Sequence, residues 1–257
     1  MTTRDHAPVG APCWADLWTS DVEGSRRFYA ELFGWEANEP SEEFGGYFMF
    51  TKDGRPVAGG MGDMGDAKAD NTWKVYFATD DIAKTAELSS EAGAQLQFPP
   101  MAVADLGSQT ILVDPQGAVA GLWQPDSFHG FSTIGEPGTP SWFELHTRDF
   151  NGSIGFYTGP FRLEAVAASD TDEFRYFMLK DASGSDVAGV MDAAGFLPEG
   201  TPAQWSIYWE VTDARASVEK VRELGGSVVM DCQETPYGHL AAVADPAGAQ
   251  FKLRQTS

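Results

Sequence analysis

The chain has 257 residues, 42% of them hydrophobic and 12% aromatic, including 17 Phe and 8 Trp. That is ample material for packed cores and excludes a disordered chain, while roughly 150 residues per domain makes two domains the expectation. Acidic residues number 38 against 17 basic ones, and a net charge of −21 repels phosphate backbones and anionic lipid heads, which argues against nucleic-acid and membrane-surface partners.

Residues 14–18 (WADLW) read as a short strand of β-prone aromatics, ended by Ser20-Asp21. Asp21 suits a helix N-cap, and Val22, Tyr29 and Phe33 recur at helical spacing, with Gly34 as the stop. Residues 47–51 and 57–61 read as strands around the turn Lys52-Asp53-Gly54-Arg55. Residues 73–79 form another strand, followed by a helix capped at Asp80 or Asp81 and closed by Gly93. Residues 109–113 and 119–123 are strands flanking the turn Asp114-Pro115-Gln116-Gly117, where Pro fixes φ and Gly accepts a positive one.

The pattern then repeats. CWADLWTSDVEGSRRFYAELFGW from Cys13 matches SWFELHTRDFNGSIGFYTGPF from Ser141, so that Trp14 aligns with Trp142, Asp21 with Asp149 and Phe28-Tyr29 with Phe156-Tyr157. Tyr47-Phe48-Met49 matches Tyr176-Phe177-Met178, Val57-Ala58-Gly59 matches Val187-Ala188-Gly189, and WKVYFATDD from Trp73 matches WSIYWEVTD from Trp205. DPQGAVAGLWQ from Asp114 matches DPAGAQFKLRQ from Asp245. The second copy's first helix contains Gly152 and Gly155 and is expected to stop near Thr158. Gly, Pro, Ser and Thr crowd residues 127–140, which read as a connection. This gives a first domain at 8–126, a linker at 127–137 and a second domain at 138–257.

Cys13 and Cys232 cannot make a disulfide scaffold, and neither sits in a zinc-type cluster. The N-terminal residues lack an apolar signal core and no apolar run approaches membrane-spanning length, so a cytoplasmic protein is the expectation.

The order WxDLxTxDxxxSxxFYxxLFGW, the strand WKVYFATDD, a helix ending in Glu91-Ala92-Gly93-Ala94 and a D-P-x-G hairpin resembles the vicinal oxygen chelate superfamily, the glyoxalase, bleomycin-resistance and dioxygenase group. The likeness is to its tandem two-domain actinobacterial members, described as glyoxalase-like or hydroxylase-like. It implies an α+β fold: four βαβββ modules forming two glyoxalase/bleomycin-resistance-type domains, with curled mixed sheets around a ligand. In the family's metal enzymes, His or Glu ligands stand at the start of a module's first strand and seven residues after the Asp of D-P-x-G. Those positions here carry Trp14, Trp142, Lys74, Ser206, Gly121 and Lys252, and the equivalent odd-module strands carry Gly59 and Gly189. None is a usual ligand for such an ion, so neither the family's metal site nor any other cofactor is expected.

Side chains alternate across strands, which sorts the cup walls. The first half offers Trp14, Asp16, Trp18, Tyr76 and Trp123, a wall for a flat apolar ligand. The second offers Trp142, Glu144, His146, Tyr208, Glu210 and Lys252, a wall able to move protons. Glu144, His146 and Glu210 are the candidate catalytic residues and the others are candidate ligand contacts. The expected function is binding of a small organic molecule, a natural product or reactive carbonyl compound, for sequestration or acid–base catalysis by a monomer or homodimer. A metal-dependent lyase or oxygenase with displaced ligands at Glu144, His146 and Glu210 is one alternative. An interaction protein with vestigial cups is the other.

Overall fold

The computed structural model describes residues 2–256. In chain order the first half contains β1 (Pro12–Trp18), α1 (Val22–Phe33), β2 (Phe48–Lys52), β3 (Arg55–Met61), β4 (Thr72–Ala78), α2 (Ile82–Glu91), β5 (Gly107–Val113) and β6 (Val119–Pro125). The second contains β7 (Pro140–Thr147), α3 (Phe150–Thr158), β8 (Glu164–Asp170), β9 (Arg175–Lys180), β10 (Asp186–Asp192), β11 (Gln204–Glu210), α4 (Ala214–Glu223), β12 (Ser227–Thr235), β13 (Gly238–Ala244) and β14 (Gln250–Gln255). No described helix is long and apolar enough to cross a membrane.

Each of the four described α-helices begins at an aspartate. Asp21, Asp81, Asp149 and Asp213 each accept a hydrogen bond from the backbone N–H three residues on, which satisfies one of the orphan donors of the first turn. Hydroxyl pairs fasten three of these starts to the preceding strand: Thr19–Ser25 at 2.8 Å, Thr79–Thr85 at 2.7 Å and Thr147–Ser153 at 2.8 Å. Gly34 ends α1 at φ 70°, where a side chain would be strained.

Each half closes its own sheet. The first runs β2-β3-β1-β4-β6-β5, with two- and three-residue strands at its edges, and the second runs β8-β9-β10-β7-β11-β14-β13-β12. The two modules of a half meet at an antiparallel pair, β1 with β4 and β7 with β11, flanked by parallel pairs. The halves do not exchange modules, so the two cup walls stay separate.

What the halves do share is an aromatic core. Trp209 is fully buried, its ring centroid 4.9 Å from that of Trp35, 5.3 Å from that of Trp73 and 6.0 Å from that of Phe33. Phe77 packs on Trp205 at 4.8 Å and on Tyr157 at 6.0 Å. The repeated Tyr and Asp motifs meet across this seam. Tyr29 donates to Asp245 Oδ2 at 3.1 Å and Tyr157 donates to Asp114 Oδ2 at 3.0 Å. Each tyrosine hydroxyl in turn accepts an indole N–H, from Trp73 at 3.1 Å and from Trp205 at 2.8 Å. Tyr157→Phe leaves both the indole donor and a buried carboxylate oxygen short of a partner. The expected cost is about 1–3 kcal/mol, seen as a lower urea midpoint at unchanged slope.

Candidate functional site

The second sheet gathers one polar cluster in its hollow. Strand alternation puts Trp142, Glu144 and His146 on one face of β7, and the β7–β11 register sets Trp142 beside Tyr208. The parallel β11–β14 pairing then sets Lys252 beside Tyr208. Glu144 Oε1 lies 2.7 Å from His146 Nε2, accepts from Tyr208 Oη at 2.7 Å and accepts from Lys252 Nζ at 2.7 Å. Lys252 Nζ also stands 2.8 Å from His146 Nε2 and 2.9 Å from Tyr208 Oη. The Trp142 indole donates to Tyr176 Oη at 2.8 Å, and the Tyr176 hydroxyl also bonds to Glu144.

Nε2 of His146 has one in-plane site: with a proton it donates to Glu144 Oε1, and without one it accepts from the Lys252 ammonium, so the two contacts are hydrogen bonds in alternative protonation states. Burial lowers the pKa of both groups below their ordinary values, and the Glu144 charge only partly opposes it. Burial also works against the Glu144 carboxylate, but the His146 hydrogen bond and the Lys252 charge outweigh it and hold the carboxyl below the usual range. Burial together with the Glu144 charge pushes the Tyr208 and Tyr176 hydroxyls up, so both remain donors.

Glu210 stands apart. Its Oε1 accepts from the Thr256 N–H at 2.7 Å and from the Thr256 hydroxyl, and it shares no hydrogen bond with Glu144 or His146. Among the described residues no group of three or more His, Cys, Asp or Glu side chains could hold a metal ion. Of the positions where the family resemblance expects ligands, Lys252 brings an ammonium. Gly189 has no room for any side chain, since a Cβ there would lie 1.9 Å from Tyr176 Oη. The donor set does not fit a divalent cation.

The first half carries the matching framework with other chemistry. Asp16 Oδ1 accepts from the Trp14 indole at 2.9 Å and from Tyr47 Oη at 2.8 Å. A Cβ at Gly59 would lie 1.8 Å from that same hydroxyl, as at Gly189. Where Lys252 reaches in, the first half has Gly121, and the Tyr76 ring fills the space. Lys74 instead lies over the Trp18 ring at 5.0 Å and pairs with Asp70. The connecting segment closes this hollow: Phe128 packs edge-on against Trp14 at 4.8 Å, Phe131 packs on Trp14 at 5.3 Å, and the Trp123 indole donates to the Phe128 carbonyl at 2.9 Å. Trp14, Tyr76 and Trp123 are buried beneath it. Two surface grooves, about 340 and 400 Å³, lie beside residues 7–9 and are lined by none of the cluster residues of either half.

Asp16 has no cation to answer it. Burial raises its carboxyl from the ordinary 3.8 to about 6, against hydrogen bonds from Tyr47, Tyr76 and Trp14. A folded-state pKa above the unfolded one means that protonation favours the fold. The wild type therefore gains stability as pH falls from above 6 towards 3.8, by about 3 kcal/mol in all. In Asp16→Asn that component is absent. Chemical denaturation at several pH values is expected to show a flatter profile for the variant over this window and higher stability than wild type above pH 6.

Tyr47 and Tyr176 were not marked as site residues by the sequence, although their matching places in the repeat were a usable signal. Phe128 and Phe131 carried no signal, because they stand in a Gly- and Pro-rich stretch.

Residues 12–120 and 139–253 each match the family described as Glyoxalase/Bleomycin resistance protein/Dioxygenase superfamily. A glyoxylase-named protein of Mycobacterium tuberculosis, CFP32, is 31% identical over 98% of this chain and 97% of its own length. The anthracycline biosynthesis protein DnrV of Streptomyces peucetius is 32% identical over 95% of this chain and 92% of its own. Among solved structures, the Mn(II)-bound glyoxalase from Novosphingobium aromaticivorans superposes with a TM-score of 0.66 at 14% identity, covering 96% of this chain and 82% of that one. A 2,2',3-trihydroxybiphenyl 1,2-dioxygenase from Sphingomonas wittichii gives 0.65 at 16%, covering 96% and 90%. Both likenesses speak to the fold, which is the curled, paired-module architecture described above.

Proposed function

Because the chain belongs to the glyoxalase/bleomycin resistance protein/dioxygenase superfamily, we propose that its second hollow binds a small organic carbonyl compound and moves a proton on it without a metal ion. The single observation that carries this reading is the Lys252 ammonium position: Nζ meets Glu144 Oε1, His146 Nε2 and Tyr208 Oη at 2.7, 2.8 and 2.9 Å. A tethered positive charge thus stands beside an imidazole nitrogen able to accept a proton.

The chemistry balances with these groups alone. A C–H bond next to the ligand carbonyl breaks, its proton goes to whichever of Lys252 Nζ and His146 Nε2 lacks one, and the electron pair moves onto the carbonyl oxygen. The Lys252 ammonium stabilises the resulting oxyanion, and reversal returns the proton to carbon. Glu144 keeps both nitrogens in place and balances their charge. The names of the relatives, a glyoxylase and an anthracycline biosynthesis protein, are in keeping with carbonyl compounds as ligands.

The test is exchange of the carbon-bound protons of methylglyoxal and its glutathione hemithioacetal with deuterated water, followed by proton NMR on chelator-treated protein. Exchange that survives chelation and vanishes in Lys252→Met is the expected result. Exchange that needs an added divalent ion overturns the metal-free reading and favours a metal-dependent lyase.

A further inference from the structure

Beside the polar cluster of the second half stand aromatic rings that the chain leaves exposed. Phe174 is 41% exposed and stacks on Tyr176, with centroids 5.8 Å apart and planes 13° from parallel. Phe196 is 58% exposed and stands edge-on to His146 at 5.7 Å. Tyr237 is 51% exposed on the turn between β12 and β13. These three rings come from three separate loops, and two of them touch the polar cluster, Phe174 through Tyr176 and Phe196 through His146. Exposed large apolar side chains that converge on a polar site mark where a ligand is covered.

The first half shows what such a wall accepts. There the equivalent hollow is closed by Phe128, an aromatic ring held edge-on against Trp14 while its own backbone carbonyl takes the Trp123 indole proton. The chain supplies that ring itself. In the second half Phe174, Phe196 and Tyr237 have no such cover.

We infer that the second hollow takes a planar, multi-ring aromatic compound bearing a hydroxyl beside a ring carbonyl, stacked against Phe174 and Phe196 with its hydroxyl directed at Lys252. This names the ligand class of the site proposed above and rests on that reading for the role of Lys252. A net charge of −21 disfavours ligands that arrive as anions, so the compound enters neutral and passes its phenolic proton to the neutral His146 Nε2, leaving the phenolate beside the Lys252 ammonium. Rings of this kind fill aromatic walls by offset or edge-on stacking, as the Phe128–Trp14 pair does.

The probe is 1,8-dihydroxyanthraquinone, titrated into the full chain and followed by quenching of tryptophan emission and by the visible absorption band, which moves to longer wavelength on ionisation. The wild type is expected to bind one equivalent with a red-shifted band. Phe174→Ala/Phe196→Ala is expected to bind at least tenfold more weakly, whereas Phe44→Ala, an exposed ring of the first half, is expected to leave affinity unchanged. Lys252→Met is expected to retain binding and lose the shift. Absence of binding to the wild type, or equal affinity in the double variant, overturns the inference. Proton exchange on methylglyoxal by the wild type then decides separately whether the acid–base reading stands. Binding that depends on the two rings, with a band shift indifferent to Lys252→Met, upholds the aromatic class and removes Lys252 from the chemistry.

Discussion

Lys252→Met is expected to slow proton exchange by about two to four orders of magnitude and to destabilise the chain by about 3–5 kcal/mol. The rate falls because one of the two nitrogens able to take the proton is gone, together with the positive charge beside the developing oxyanion. The stability falls for a different reason. Glu144 is buried and, in the wild type, has its charge answered by an ammonium 2.7 Å away. Methionine fills much of the same volume but leaves that carboxylate uncompensated. The two effects separate by pH. In the wild type the Glu144 pKa is depressed below the ordinary 4.5, so its contribution is present above 4.5 and is lost as pH falls through the folded-state value. In the variant the Lys252 share of that depression is gone and only the His146 hydrogen bond and charge still oppose burial, so the Glu144 pKa moves up towards its ordinary value and the variant loses less stability than the wild type as pH falls below 4.5. Thermal melts of both proteins between pH 4 and 8 check this, and parallel melting curves would show that Lys252 does not answer the Glu144 charge.

Trp209→Ala is the second large effect, about 3–5 kcal/mol of stability from a residue far in role from the proton chemistry. The indole is completely buried and lies on β11 of the second half, but three of its ring neighbours, Phe33, Trp35 and Trp73, belong to the first. Removing it opens a cavity at the seam between the sheets rather than within either one. Calorimetry should therefore show a lower melting temperature and a broadened or divided transition, because the halves lose part of what makes them unfold together. A single sharp transition at the wild-type temperature would mean that the seam is held elsewhere.

The architecture was largely legible in the sequence because its signals are local. Aspartate caps, the glycine after α1, the D-P-x-G turns and the alternating strands each declare themselves within a few residues, and their recurrence gives the duplication. The second wall was legible in part for the same reason: alternation alone places Trp142, Glu144 and His146 on one face, and Tyr208 and Lys252 on another strand's matching face. Whether they meet depends on the register of three strands far apart in the chain. That register brings Lys252 to Glu144 and leaves Glu210 at the end of β11, bonded to Thr256. The first wall was expected to suit a flat apolar ligand, and nothing in the sequence signalled that Phe128, whose position depends on the path of the connection, packs edge-on against its Trp14. Tyr47 and Tyr176 escaped because a tyrosine near a strand's start is ordinary until the glycine opposite it makes room for its hydroxyl.

That pairing of glycine with tyrosine has an evolutionary consequence. A sequence gaining an ion ligand at this strand of the second half would have to place it at Gly189, where the Tyr176 hydroxyl already occupies the space of the first carbon. The glycine alone cannot mutate usefully, and the tyrosine alone cannot leave without stranding the Trp142 indole and a bond to Glu144. An ion-liganding side chain there would therefore need Gly189 and Tyr176 to change together, with a damaged intermediate between the two steps.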